Sequence, residues 1–399
     1  MTTTASEKCK EARKLWLSAI SLDDLDQVEA LYKEALNAKR TDQTPAVSPR
    51  KKKRKLQRYA ELSAQEYRQA GERLSLLYCQ SGRTQKAKKG LDYLGFVCRL
   101  SKNVLDYPSS RRSDRSNGNR SKASSPIPCV IYDSFLNSEE LSHLRSVFAS
   151  PGASYWTSHN YEVEPPSPYF SYVISLKKDR NHLEGSFVDS LARKVWKFPA
   201  LRQRFPSIVD ATHVELWAHN RPHASGHQMH FDSDDEGRGG VRNPIVSTIL
   251  YVCAEGGGPS IVTNQQLDSV NLANKGWLAH PKPSRLVAFD GRVLHGVVPG
   301  KGVSKIKEGR RVTLMFAFWK KIKIRNESSP GSARPFPLNE PNAKWAIALS
   351  DRTVRVETKY SDVKEQKPIE LDNVYERLDG SAWKKADGML DYEQVFQGF

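Results

Sequence analysis

The stretch His227-Gln228-Met229-His230-Phe231-Asp232 holds residues suited to grip a metal ion. In a β-strand, residues i and i+2 point to the same face. His230 and Asp232 would then aim an imidazole and a carboxylate at one point, with Phe231 turned the other way. A second imidazole from a distant strand would put two histidines and one carboxylate on one face of an octahedron. Three positions stay open in that arrangement for a co-substrate and O2, which is the ligand pattern of non-haem Fe(II) centres. The candidate third ligand is His295, in Asp290-Gly291-Arg292-Val293-Leu294-His295-Gly296-Val297-Val298-Pro299-Gly300.

A 2-oxo acid co-substrate needs a cation for its distal carboxylate. Arg311 opens the run Arg311-Val312-Thr313-Leu314-Met315-Phe316-Ala317-Phe318-Trp319, and Thr313 shares its face. An arginine fork binds a carboxylate in bidentate fashion, and a threonine hydroxyl adds a hydrogen bond. Arg310 and Lys305 are the competing cations, and Arg311 is preferred because it leads directly into a β-run.

Taken together, HFD, the distal HGVVPG and the Arg-x-Thr strand resemble the Fe(II)/2-oxoglutarate-dependent dioxygenase superfamily, in its prolyl-hydroxylase-like branch. The Gly257-Gly258-Pro259 turn after STILYV fits the same pattern. The resemblance spans roughly residues 128–322. It implies an α+β protein with a double-stranded β-helix (jelly-roll) catalytic domain, and His230, Asp232 and His295 as iron ligands. Arg311 would hold the 2-oxoglutarate carboxylate with help from Thr313, and Tyr251 would also reach the co-substrate. The implied cofactors are Fe(II), 2-oxoglutarate and O2, with ascorbate as a stimulant. The implied reaction is oxidative decarboxylation of 2-oxoglutarate to succinate and CO2, coupled to hydroxylation of a protein side chain such as proline; the alternatives are a nuclear nucleic-acid-modifying oxygenase and a non-catalytic jelly-roll scaffold. Two features depart from the pattern. KGVSKIKEG lengthens the hairpin before Arg311, and Ala317 stands where nucleic-acid-repair dioxygenases of the AlkB kind place a second arginine.

These residues need strands to position them. β-rich runs at 212–217, 245–252, 260–262, 285–289, 293–298 and 312–319 are separated by Gly, Pro and Asn clusters, as in an antiparallel sandwich or barrel. A helix is predicted over 138–149. Residues 6–38 read as two helices, the second capped by Ser21 with Asp23, Asp24 and Asp26 in its first turn. The segment 74–96 resembles a tetratricopeptide-type helical hairpin, with a plain helical bundle as the simpler reading. The resulting domain plan has a helical region at 1–108, with a basic linker at 39–58, and a Ser/Arg/Asn-rich linker at 109–126. The oxygenase domain covers 127–325 and a C-terminal extension covers 326–399.

Other histidines offer a competing metal site. His219, His223 and His227 precede His230, but Pro222 and Gly226 break the helical register a zinc face would need. His143, His159, His182, His213 and His280 read as structural. The run Asp232-Ser233-Asp234-Asp235-Glu236-Gly237 imitates the start of an EF-hand loop, yet position twelve is Asn243. Its expected role is a loop over the site.

Net charge is +17, and residues 1–126 carry 27 Lys/Arg against 14 Asp/Glu. Much of that excess lies in Arg50, Lys51, Lys52, Lys53, Arg54 and Lys55, which resemble a single-cluster nuclear localisation signal. The helical region is expected to dock a protein partner or substrate, and the basic segment offers nucleic acid a second route. Five scattered cysteines without CxxC spacing argue against a disulfide framework or zinc knuckle. No apolar run reaches membrane-spanning length and no signal segment is evident, so nucleus or cytoplasm is the expected location, with no membrane partner.

Overall fold

The computed structural model describes residues 4–38, 62–108, 127–163, 169–177, 183–234, 242–326, 331–338, 343–382 and 392–398. The basic run 50–55, the linker 109–126 and His182 lie outside the described residues. Helices α1 (Ala5–Ser18), α2 (Leu22–Ala38), α3 (Ala64–Gln80) and α4 (Thr84–Tyr93) come first. α1 and α3 start at capping boxes, Thr4 with Glu7 and Ser63 with Glu66. Ser21 caps α2 as expected, its Oγ accepting from Asp24 N at 3.1 Å. α3 and α4 form the hairpin expected at 74–96. A strand follows it, β1 (Cys98–Leu100), then the short α5 (Lys102–Leu105), so no further helical repeat is built.

The remaining elements in chain order are β2 (Cys129–Asp133), α6 (Ser138–Phe148), α7 (Ser154–Ser158), β3 (Tyr172–Ser175), α8 (Phe187–Trp196) and α9 (Pro199–Arg204). Then come β4 (His213–Pro222), β5 (His227–His230), β6 (Val246–Ala254), β7 (Ser260–Gln266), β8 (Lys275–Ala279), β9 (Leu286–Asp290), β10 (Val293–Val297) and β11 (Arg310–Trp319). The tail supplies β12 (Arg334–Pro335), α10 (Lys344–Leu349), β13 (Lys364–Gln366), β14 (Ile369–Asp372), β15 (Tyr375–Arg377) and β16 (Val395–Phe396).

The large sheet has the order β12-β3-β4-β11-β6-β9-β2-β13 and the small one β14-β8-β7-β10-β5. From β4 to β11 the chain visits them in the sequence large, small, large, small, small, large, small, large. Those eight strands are a jelly roll, the double-stranded β-helix arrangement. The C-terminal extension is woven in, with β12 and β13 on the edges of the large sheet and β14 on the small one. β15 and β16 flank β1 in a third sheet.

Strand periodicity sorts β11 between two cores. Leu314, Phe316 and Phe318 face a core shared with α6 and α8, including Leu144, Phe187 and Leu191. Met315, Ala317 and Trp319 face the space between the sheets, with Trp217, Ile249 and Phe289. Arg311 and Thr313 share the second face by parity. A further cluster joins Trp16, Tyr32, Leu76 and Leu77 of the N-terminal helices to Met229, Ile261, Leu278 and Leu294 of the small sheet. The helical region therefore forms an outer layer over the small sheet. Fully burying each such side chain is worth about 1.5–3 kcal/mol. Polar ties fix its register: Gln80 Nε2 donates to Pro299 O (3.1 Å) and Lys301 Nζ to Asp106 Oδ1 (2.8 Å). No helix among the described residues is long and apolar enough to cross a membrane.

Candidate metal centre and its pocket

Antiparallel pairing of β5 with β10 sets His230 directly opposite His295. Their ring centroids are 4.3 Å apart. Asp232 departs from expectation in one respect, because β5 stops at His230 and the carboxylate comes from the loop beyond it. Two bonds hold that loop in place: Asn243 Nδ2 donates to Asp232 O (2.6 Å) and Ser247 Oγ to Asp232 Oδ2 (2.5 Å). The other carboxylate oxygen, Oδ1, is left facing His230 Nε2 at 3.7 Å and His295 Nε2 at 3.6 Å. Two cis ligands about 2.1 Å from one ion stand roughly 3 Å apart, so the gap is close to that of a metal centre. Among the described residues these three are the only such group of His, Cys, Asp or Glu. His219, His223 and His227 do not form a second one.

Each imidazole is oriented by its own strand. Nδ1 lies 2.8 Å from Gln228 O in His230 and 3.0 Å from Val293 O in His295. A carbonyl partner requires the proton on Nδ1, which leaves the Nε2 lone pair for an ion. His295 Nε2 is buried and has no hydrogen-bond partner. Burial, reinforced by His295, pushes His230 down to about 4. Burial would raise Asp232, but His295, His230 and the Ser247 hydroxyl hold it at about 2. Burial would lower His295, but the Asp232 carboxylate beside it raises it above its ordinary value, so an arriving ion would displace a proton there. A neutral imidazole and an ionised carboxylate are the forms that coordinate metal. The donor set suits a divalent first-row ion with three ligand positions to spare.

A small cavity separates His230 and His295 from Arg311 and Thr313. Arg311 is 2 % exposed, and burial lowers its pKa to about 10. Its Nε has no partner, and Nη1 makes one long contact, 3.4 Å to Gly258 O. No carboxylate among the described residues pairs with it. The GGP turn makes room for this side chain. Gly257 has φ +86°, and a Cβ there would come 2.9 Å from Arg311 Cβ, while one on Gly258 would come 2.2 Å from Val298 O. Of the competing cations, Arg310 is turned to Asn220, donating to its Oδ1 and to its backbone O, and Lys305 is exposed.

Tyr251 lies close enough to Arg311 for the two to interact electrostatically. It pairs with Thr313 across the sheet, but its hydroxyl lies 2.8 Å from Ser260 Oγ, and Ser260 lines the cavity instead. Trp217, His219 and His227, not expected at the site, line it too. Trp217 and His219 face Met315 and Thr313 across β4 and β11, a pairing register that alternation along either strand does not reveal by itself. Burial, with Arg221 and Arg311 nearby, keeps His219 well below its ordinary pKa, and its Nδ1 is buried without a partner. His223 is structural: its Nδ1 accepts from Gly257 N (3.1 Å) and its Nε2 meets Lys301 O (3.2 Å). Of the loop expected over the site, Asp234 is pinned by Arg242 Nε at 2.8 Å, and residues 235–241 lie outside the described residues.

No family profile matches the sequence, and no curated protein is similar enough to count as a relative. Solved structures give faint matches. A prolyl-4-hydroxylase from Pseudomonas putida is 15% identical, covering 49% of this chain and 93% of that one, with a TM-score of 0.29. Iron-bound HygX from Streptomyces hygroscopicus is 13% identical over 52% of this chain and 91% of its own, TM-score 0.29. The apoform of EctD from S. alaskensis is 13% identical over 53% and 85%, TM-score 0.31. Likenesses this distant leave the case to the site's own geometry.

Proposed function

We propose that this chain is an Fe(II)- and 2-oxoglutarate-dependent oxygenase that hydroxylates a protein side chain. One observation carries the reading: a two-histidine, one-carboxylate cluster faces, across one cavity, a buried guanidinium that has no carboxylate partner among the described residues. A charge left alone in the interior is costly, and a dicarboxylate arriving from solvent would supply the missing partner.

When bound, iron and 2-oxoglutarate supply the oxidising power, with O2 consumed and succinate and CO2 released as a C–H bond is hydroxylated. The chain's residues bind and orient. Arg311 pairs with the distal carboxylate of 2-oxoglutarate, and the Thr313 hydroxyl, on the same face of β11, donates to it. Ser247 and Asn243 keep the Asp232 carboxylate aimed. Trp217, Ile249 and Met315 make the walls apolar and keep bulk water from the reacting centre.

The test is succinate formation from 2-oxoglutarate by purified protein with Fe(II), ascorbate and O2, beside His230→Ala. Turnover that vanishes in the variant is expected; equal turnover in both would overturn the assignment. For the substrate class, a +16 Da product on a protein is expected by mass spectrometry.

The prolyl-hydroxylase-like branch is part of this proposal, as is nuclear residence through Arg50–Lys55. Replacing that run with alanines in a fluorescent fusion should shift the protein from nucleus to cytoplasm; unchanged distribution would reject it.

A further inference from the structure

Beyond the metal centre, and sharing Trp217, His219 and His227 with its cavity, opens a cleft of about 560 Å³. Its size falls within the range of ligand sites. One wall is β4 of the jelly roll and the other is built by α1 and α3. The helical layer therefore shapes the approach to the metal as well as covering the small sheet.

The charge of this cleft is lopsided. Arg13 from α1, Arg73 from α3 and Arg221 from β4 line it, against one carboxylate among the described residues, Glu72. Glu72 pairs with Arg68 Nε at 2.9 Å and also lies close enough to Arg73 to interact with it, which leaves three arginines against one shared carboxylate. Arg221 lies with its guanidinium carbon 5.7 Å from the Tyr161 ring centre; Nη1 donates to Val163 O, and Nε is buried without a partner. Arg13 Nη1 reaches Ala224 O at 3.4 Å, which brings its guanidinium over the loop between β4 and β5. Three arginine forks around one concave site favour planar anions, and partial burial strengthens each interaction.

We propose that this cleft takes the prime substrate, and that the substrate is a peptide segment with Asp or Glu side chains beside the residue oxidised. Arg13, Arg73 and Arg221 bind those acidic side chains, while the neighbouring residue extends past Trp217 toward the His230–His295 pair. This inference rests on the oxygenase reading, and a peptide is the occupant that agrees with a protein substrate.

The experiment uses the full chain and two fluorescent proline-centred peptides, one flanked by Glu and Asp, the other by Lys at the same positions. Anisotropy titrations should give at least about tenfold tighter binding of the acidic peptide, weakening as salt rises. Arg73→Glu should invert that preference. Arg73→Gln, a milder change checked for an unaltered melting curve, should weaken acidic-peptide binding several-fold.

Equal binding of both peptides by the wild type would overturn the inference, as would displacement of the acidic peptide by a single-stranded oligonucleotide at lower concentration. Succinate formation is followed in parallel. Turnover without any peptide preference removes the cleft assignment and leaves the oxygenase reading. Peptide preference without turnover does the reverse.

Discussion

His230 and His295 face each other across the β5–β10 pair, each with Nδ1 against a carbonyl two residues back on its own strand. Both Nε2 atoms therefore converge on Asp232 Oδ1 without any rearrangement of strands. Alanine at any of the three should abolish stoichiometric binding of Fe(II), or of Co(II) as a spectroscopic substitute, in anaerobic titration. Retained one-to-one binding in His295→Ala would mean that the ion sits elsewhere.

Ser247 bonds to the Asp232 oxygen turned away from the histidines. Without it the carboxylate is free to rotate, and both oxygens compete for the ion. Loss of such supporting partners usually costs 10–100-fold in metal affinity. Ser247→Ala should fall in that range with little change in melting temperature. An unchanged affinity would show that Asn243 and the strand end are sufficient.

Burial of Arg311 carries a cost that a bound anion would relieve. Lowering a guanidinium from 12.5 to about 10, by burial first and by Arg221 as well, corresponds to a net cost of roughly 3 kcal/mol. A co-substrate carboxylate would recover much of it. 2-Oxoglutarate at about 100 times its Kd should stabilise the wild type by about 2.7 kcal/mol, read as a rise in melting temperature. Arg311→Ala should lose that shift and raise KM for 2-oxoglutarate at least tenfold, while being no less stable than the ligand-free wild type. A full ligand-induced shift in the variant would reject Arg311 as the anchor.

The legible part of this fold was its periodic part. Runs of β-forming residues between Gly, Pro and Asn clusters marked β6, β9, β10 and β11 to within a few residues and the first half of β4; His230 and Asp232 were legible as a pair, although Asp232 reaches the site from the loop after β5. β8 and the tail strands were missed because KGWLA and the three- and four-residue strands of the tail are too short to show a period. Arg13 and Arg73 were invisible as site residues for another reason. They reach the cleft only because the helical layer folds back on the small sheet, and that packing depends on side chains spread from Trp16 to Leu294. Tyr251 lies on β6 opposite Thr313; what sequence could not give was the hydroxyl of Ser260 within 2.8 Å of it.

Buried Lys194 and Glu140 join α8 to α6, with Nζ 2.9 and 2.7 Å from the two carboxylate oxygens. Glu140 also completes the capping box with Asn137 and accepts from Glu357 N at 2.9 Å. Lys194→Ala would leave this carboxylate buried without its cation, at a cost of about 3–5 kcal/mol in denaturant unfolding. Lys194→Met combined with Glu140→Gln should recover a good part of that loss. A cost below about 1 kcal/mol for the single change would indicate that water reaches the pair.

Glu215 predicts a pH dependence that runs opposite to the usual carboxylate case. It lies on β4 and is 4 % exposed; Ser171 Oγ–H donates to its Oε1, and burial raises its pKa from 4.5 to about 7. The folded state therefore keeps a proton that the unfolded chain releases above pH 4.5. Between 4.5 and about 7 the native protein binds more protons, so stability falls as pH rises through that window. The fall approaches about 3 kcal/mol from this one group, at 1.36 kcal/mol per unit. Glu215→Gln keeps an acceptor for Ser171 and removes the titration. The difference in unfolding free energy between variant and wild type should be near its minimum at pH 5 and grow in favour of the variant up to pH 8. A difference constant across that range would mean that Glu215 is ionised in the fold, with a counter-charge close enough to hold it so.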